Sequence, residues 1–233
     1  MDIPAAVEQR RPIKETPLER LGRAAGDFAV ALFRVAMLSA LLLPILIFAF
    51  FSVDLPFRGF DQYFGAMLAK PGNWLSLGFF AMALAPFLVI LVSRRFGGEE
   101  ASRVVTASWA ISALGAFAGV SYLAPTLSDG DMPSVSYVVA FIGAATISQF
   151  TAAAVYDLTR GRESWWRAPL YASICAFVAH TLIYFPIAYW NSNAPWLNWM
   201  VLALSFETAL AAVFLGLYRA VRKPLRPRGG YGG

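Results

Sequence analysis

The chain has 233 residues, of which 58% are apolar, 15% aromatic and only 14% charged, with a mean hydropathy of +0.59. Soluble domains carry about 25% charged residues, so an ordinary aqueous surface is excluded and lipid is the indicated solvent. The single cysteine, Cys175, lies in an apolar run, which excludes both a disulfide scaffold and a cysteine-built zinc site.

Residues 1–34 are polar and mixed in charge. No cleavable apolar core begins near Met1, so a signal peptide is not expected and the first span should be retained. A helix crossing a ~30 Å hydrocarbon core needs about 20 mostly apolar residues. Six runs meet that length, at about Val35–Ser52, Trp74–Val92, Val104–Leu123, Val135–Tyr156, Ala168–Trp190 and Trp196–Tyr218. The expected fold is an all-α polytopic membrane protein. It has a polar N-terminal segment over 1–34, a six-helix transmembrane domain over 35–219 and a basic, glycine-rich tail over 220–233.

Between the first two spans, Phe57, Phe60, Tyr63, Phe64, Met67 and Leu68 are spaced as one apolar stripe. That spacing predicts a short helix between Pro56 and Pro71, lying flat on the interface or closing over a cavity. Pro44, Pro86 and Pro186 fall inside spans and should kink them. Gly97-Gly98 reads as a helix stop, and Gly115 and Gly119 form a GxxxG that would admit a neighbouring backbone. Asp157 sits beside Arg160 and Arg162, where a surface ion pair is expected. Trp165, Trp166, Trp190, Trp196 and Trp199 fall at span ends, as an aromatic belt requires. The tail Arg226–Gly233 should be flexible unless a partner holds it.

Lysine and arginine set the expected orientation. Alternate segments carry 17 of the 19, leaving Arg58 and Lys70 on the other side, where Asp129 and Asp131 occupy a loop without a base. Both termini should therefore be cytoplasmic, in a bacterial inner membrane. The pI near 9.6 needs no nucleic acid to explain it, because the basic residues stand where insertion and anionic lipid want them.

Ionisable groups inside the bilayer are costly and ask for a partner or a purpose. His180 lies 12 residues beyond Ala168, and Glu207 lies 12 residues before Arg219. On antiparallel neighbours both side chains should sit about 18 Å from the same boundary, which permits a His–Glu hydrogen bond. Gln149 and Thr151 lie somewhat closer to the basic end. One reading is a polar substrate site formed by Gln149, His180, Tyr184 and Glu207, with Glu207 as acceptor and Tyr184 or Phe185 as a stacking face. The other is a His–Glu pair that merely ties two helices together. One His, one Glu and one Gln make a poor metal-ligand set, so neither a metal nor a cofactor is expected. No nucleophile–base arrangement and no phosphate-binding glycine loop is present. The chain reads as a non-enzyme without an ATPase of its own.

Three stretches in order resemble the queuosine precursor transporter family, a six-span group also called vitamin-uptake-transporter-like. They are Pro86–Gly97 continuing through Ala101–Val105, Ile147–Asp157 with Gln149 inside it, and Trp165–Leu170 continuing through Ser173 to His180–Phe185. The resemblance covers roughly residues 75–219. It implies import of a 7-deazaguanine base, whose ring N–H and exocyclic amine a carboxylate can accept together. The family pattern places intramembrane acids at points that align with Ile90, Ala152 and His180, none of which is acidic here. A lysine expected late in the last span is also missing, while Gln149 matches. Two roles follow: a transporter, with this or a less polar substrate, or a non-transporting accessory or assembly subunit of a larger respiratory or photosynthetic membrane complex that reuses the scaffold.

Overall fold

The computed structural model describes residues 16–126, 135–161 and 164–227. The expectations for Asp129, Asp131, Arg162 and the tail beyond Pro227 lie outside those residues. The order is α1 (Pro17–Phe51), three single 3₁₀ turns, α2 (Leu77–Met82), α3 (Leu84–Phe96), α4 (Gly98–Leu123), a further 3₁₀ turn at Ala124–Thr126, α5 (Val135–Thr159), α6 (Arg167–Tyr189) and α7 (Trp196–Val221). The fold is all-helical, and α1, the α2–α3 pair and α4 to α7 are each long and apolar enough to cross a membrane.

The chain divides into two compact units, residues 1–34 and 35–233. In the first, helix begins at Pro17 instead of near Val35. A capping box starts it: the Thr16 amide donates to Glu19 Oε2 (2.9 Å), and the Glu19 amide donates to Thr16 Oγ1 (3.3 Å). Pro17 at the first helical position loses no hydrogen bond there. The residues of α1 up to Val30 are all exposed.

In the second unit the most extensive helix pair is α5 with α6. Helices in lipid gain little from hydrophobic burial against each other, so close approach depends on small side chains. Here Ala140, Ala144, Ser148 and Ala152 repeat every fourth residue on α5, and Ala168, Ala172 and Ala176 do so on α6; all are buried. The GxxxG of α4 does not serve this purpose. A Cβ at Gly115 would meet nothing within 4 Å, and one at Gly119 would meet only Phe51 at 3.8 Å. The glycine that admits a backbone is Gly78, where a Cβ would stand 2.3 Å from the Ala49 carbonyl oxygen.

Pro44 and Pro186 lie inside helices, whereas Pro86 does more than kink its span. The second span breaks at Ala83, and Pro86 occupies the first turn of the new helix α3, where its missing N–H costs little. At the other end Gly97 stops α3 with φ +94°, a conformation that favours glycine.

The predicted loop helix does not form. Residues 61–63, 67–69 and 71–73 make separate 3₁₀ turns, because Gly65 and Pro71 interrupt any continuous helix. The segment is held instead by an isolated antiparallel bridge between Pro56 and Ser76, by Phe57 stacked on Phe80 at 5.5 Å, and by the Gly72 amide donating to Asp61 Oδ1 at 2.7 Å.

Arginines from three helices meet at one end of the second unit. Arg94 of α3 donates to the Tyr218 hydroxyl (2.9 Å) and to the Arg222 carbonyl (3.1 Å), while Tyr218 shares a hydrogen bond with Tyr156 of α5 (2.9 Å). Asp157 does more than pair with Arg160 at 2.9 Å. Its Oδ1 also accepts the Gly98 amide (3.0 Å), so a carboxylate from α5 caps the positive N-terminal end of α4.

Candidate functional site

Three polar side chains converge where α6 meets α7. The Glu207 carboxyl, 1% exposed, lies with Oε1 3.1 Å from His180 Nδ1, and its Oε2 accepts the Thr181 hydroxyl. His180 is 4% exposed and Thr181 fully buried. Consecutive residues on α6 thus hold both oxygens of one carboxyl group on α7. Thr181 was not singled out in the sequence. Its position beside the only histidine, in an otherwise apolar run, is the signal that marks it.

The cluster has aromatic walls. Phe79 of α2 lies 5.0 Å from the His180 ring, and Tyr184, one turn along α6, lies parallel to it at 5.7 Å. Tyr184 in turn packs edge-on against Tyr137 and Tyr189. His180 Nε2 is buried and has no hydrogen-bond partner among the described residues. A buried imidazole nitrogen left unpaired costs free energy of the order of a lost hydrogen bond, and it is the one atom of the cluster with capacity to spare.

The structure brings His180, Tyr184 and Glu207 together and sets Gln149 apart from the hydrogen-bonded cluster. Gln149 is fully buried on α5. Its Oε1 accepts the Trp109 indole N–H (3.2 Å), and its Nε2 donates weakly to Met82 Sδ (3.8 Å). Phe79 and Met82 are three residues apart on the short helix α2, so α2 stands between Gln149 and the His–Glu cluster. Ile90 and Ala152, at the aligned acidic positions, are fully buried.

An apolar cavity of about 280 Å³ opens between α1, α4 and α5, lined by Leu46, Phe50, Trp109, Ser112 and Ile142 among others. It reaches the Trp109–Gln149 pair. None of the described hollows is lined by His180, Tyr184 or Glu207. Among the described residues, no group of three or more His, Cys, Asp or Glu side chains could hold a metal ion. The cluster's chemistry is therefore hydrogen bonding and stacking.

Residues 76–221 match the family described as "Putative vitamin uptake transporter". The chain belongs to this family. The match takes in α2 to α7, and hence every residue of the cluster, and it agrees in extent with the resemblance carried by the three sequence stretches. In the vitamin uptake transporter family the chain is a multi-pass membrane protein of transporter type. No curated protein and no solved structure matches it.

Proposed function

We propose that the protein carries a small, flat, donor-bearing molecule of the 7-deazaguanine type across a bacterial inner membrane, with both termini cytoplasmic. The observation that carries this reading is the buried carboxyl of Glu207, held by His180 and Thr181 and flanked by Phe79 and Tyr184. A carboxylate oriented by two donors can exchange one of them for the N–H groups of a planar base. His180 Nε2 supplies a further polar contact, and the aromatic faces suit the ring. Gln149 joins the site when α2 shifts, since Phe79 and Met82 ride on the same six-residue helix.

The test is uptake of a labelled deazapurine base by proteoliposomes. Glu207→Gln keeps the shape and removes the charge. It is expected to cut uptake about 10–100-fold, the equivalent of one charge-assisted hydrogen bond. Absence of uptake by the intact protein overturns the reading.

A second reading, the accessory or assembly subunit of a larger membrane complex, is favoured by Ile90 and Ala152, which pack tightly at positions where the family carries acids. On that reading Glu207→Gln changes the recovery of a co-purified assembly and leaves no transport to lose.

A further inference from the structure

The end of α7 carries three cations within five residues: Arg219, Arg222 and Lys223. Like charges this close repel, and among the described residues none of the three pairs with a carboxylate. The nearby Asp157 is committed to Arg160 and to the Gly98 amide. Instead, both guanidiniums lie over the ring of Trp165, Arg222 at 4.8 Å and Arg219 at 5.8 Å. A guanidinium on an aromatic face keeps its N–H edge directed outward, which is the geometry that grips phosphate with two parallel hydrogen bonds.

The surroundings indicate what brings the phosphate. Arg219, Arg222 and Lys223 line a hollow of about 500 Å³ with Gly216 and Ala220. A Cβ at Gly216 would meet nothing within 4 Å, so the groove is open along its length. One turn further into the span, Val213 and Leu217 expose more than two-fifths of their surface. The hollow is therefore basic at its mouth and apolar along its flank, on a helix that faces lipid.

From this we infer that α7 and Trp165 form a binding site for the headgroup of an anionic phospholipid. The phosphodiester is held by Arg219, Arg222 and Lys223, and an acyl chain lies along Gly216, Val213 and Leu217. This site lies at the opposite end of α7 from Glu207 and does not depend on what the protein transports.

The experiment counts lipids retained by the full-length protein. The detergent-purified chain is titrated with phosphatidylglycerol or phosphatidylcholine and examined by native mass spectrometry. Phosphatidylglycerol should be retained selectively. The triple variant Arg219→Gln/Arg222→Gln/Lys223→Gln should weaken retention roughly a hundredfold, given about a fivefold contribution per basic residue near anionic lipid. Arg94 bonds the Arg222 backbone carbonyl, so the triple change leaves that tie intact. Arg103→Gln is the control, because Arg103 is already paired with Glu99 and Glu100, and it should change nothing. Trp165→Leu should cost less than the triple variant but more than the control. Equal retention of both lipids, or undiminished retention by the triple variant, overturns the inference. Displacement of the lipid by millimolar inorganic phosphate also overturns it, since the site would then take the free ion.

Discussion

Glu207 and His180 are each expensive inside a bilayer, and the structure reduces that cost by placing them 3.1 Å apart with Thr181 on the remaining oxygen. Such a group can be replaced in two ways with opposite consequences. Removing one member leaves its partner buried and unsatisfied, at about 3–5 kcal/mol, whereas replacing both with apolar side chains of similar volume is often neutral or stabilising. Glu207→Leu alone should therefore lower the stability of the purified protein, and His180→Phe/Glu207→Leu together should recover most of it in a thermal melt. If the pair only ties α6 to α7, the double variant also recovers function. If the pair is the site, the double variant is stable and takes up no substrate, and uptake by a stable double variant would sink the proposed site. His180 Nε2 favours the second outcome, because a group present only for packing has no reason to leave a buried nitrogen unpaired.

At the scale of elements, the contacts that assemble the bundle are set by where small residues face a neighbour. Gly78 packs against the backbone of α1 at Ala49 and Val53, atoms that cannot rotate away. Gly78→Ala should destabilise by about 1–3 kcal/mol or more, as overpacking does. Gly115→Ala meets empty space and should be neutral or slightly stabilising, since alanine is the better helix former. Paired thermal melts of the two variants check this, and a loss at Gly115 matching that at Gly78 would contradict the packing described. The spans were legible in the sequence because hydropathy over about 20 residues is a strong signal. The equal depth of His180 and Glu207 followed from counting at 1.5 Å per residue along antiparallel helices. Four features were not found that way. Helix α1 starts at Pro17 because Thr16 and Glu19 cap it, a signal present in the sequence but masked by the polarity of the segment. The break at Ala83 and the three 3₁₀ turns are choices between local structures that apolar spacing does not distinguish. The contact of Gln149 with Trp109 joins residues 40 apart, and no period along the chain reveals it. The GxxxG failed because a small-residue motif says that an approach is allowed, not that a partner is there.

For the molecule as a whole, the arrangement of charge is the property that fixes its position in a membrane. The ends of α3, α6 and α7 meet through Arg94, Trp165, Tyr218 and Arg222, so basic segments far apart in sequence occupy one end of the bundle. Seventeen of the 19 lysines and arginines belong to the segments assigned to that side, and translocating so many short basic segments is strongly disfavoured. The proposed orientation therefore puts this end in the cytoplasm, and single-cysteine labelling in intact cells reads it out. Cys175 is first replaced by Ala. Ser164→Cys then reports the loop before α6, and Asn193→Cys the loop before α7. A membrane-impermeant maleimide should label Asn193→Cys in intact cells and reach Ser164→Cys only after permeabilisation. The reverse pattern would mean that Arg58 and Lys70 outweigh seventeen residues. It would also turn the Arg219–Arg222–Lys223 groove outward, away from the cytoplasmic leaflet where anionic headgroups are attracted to basic segments.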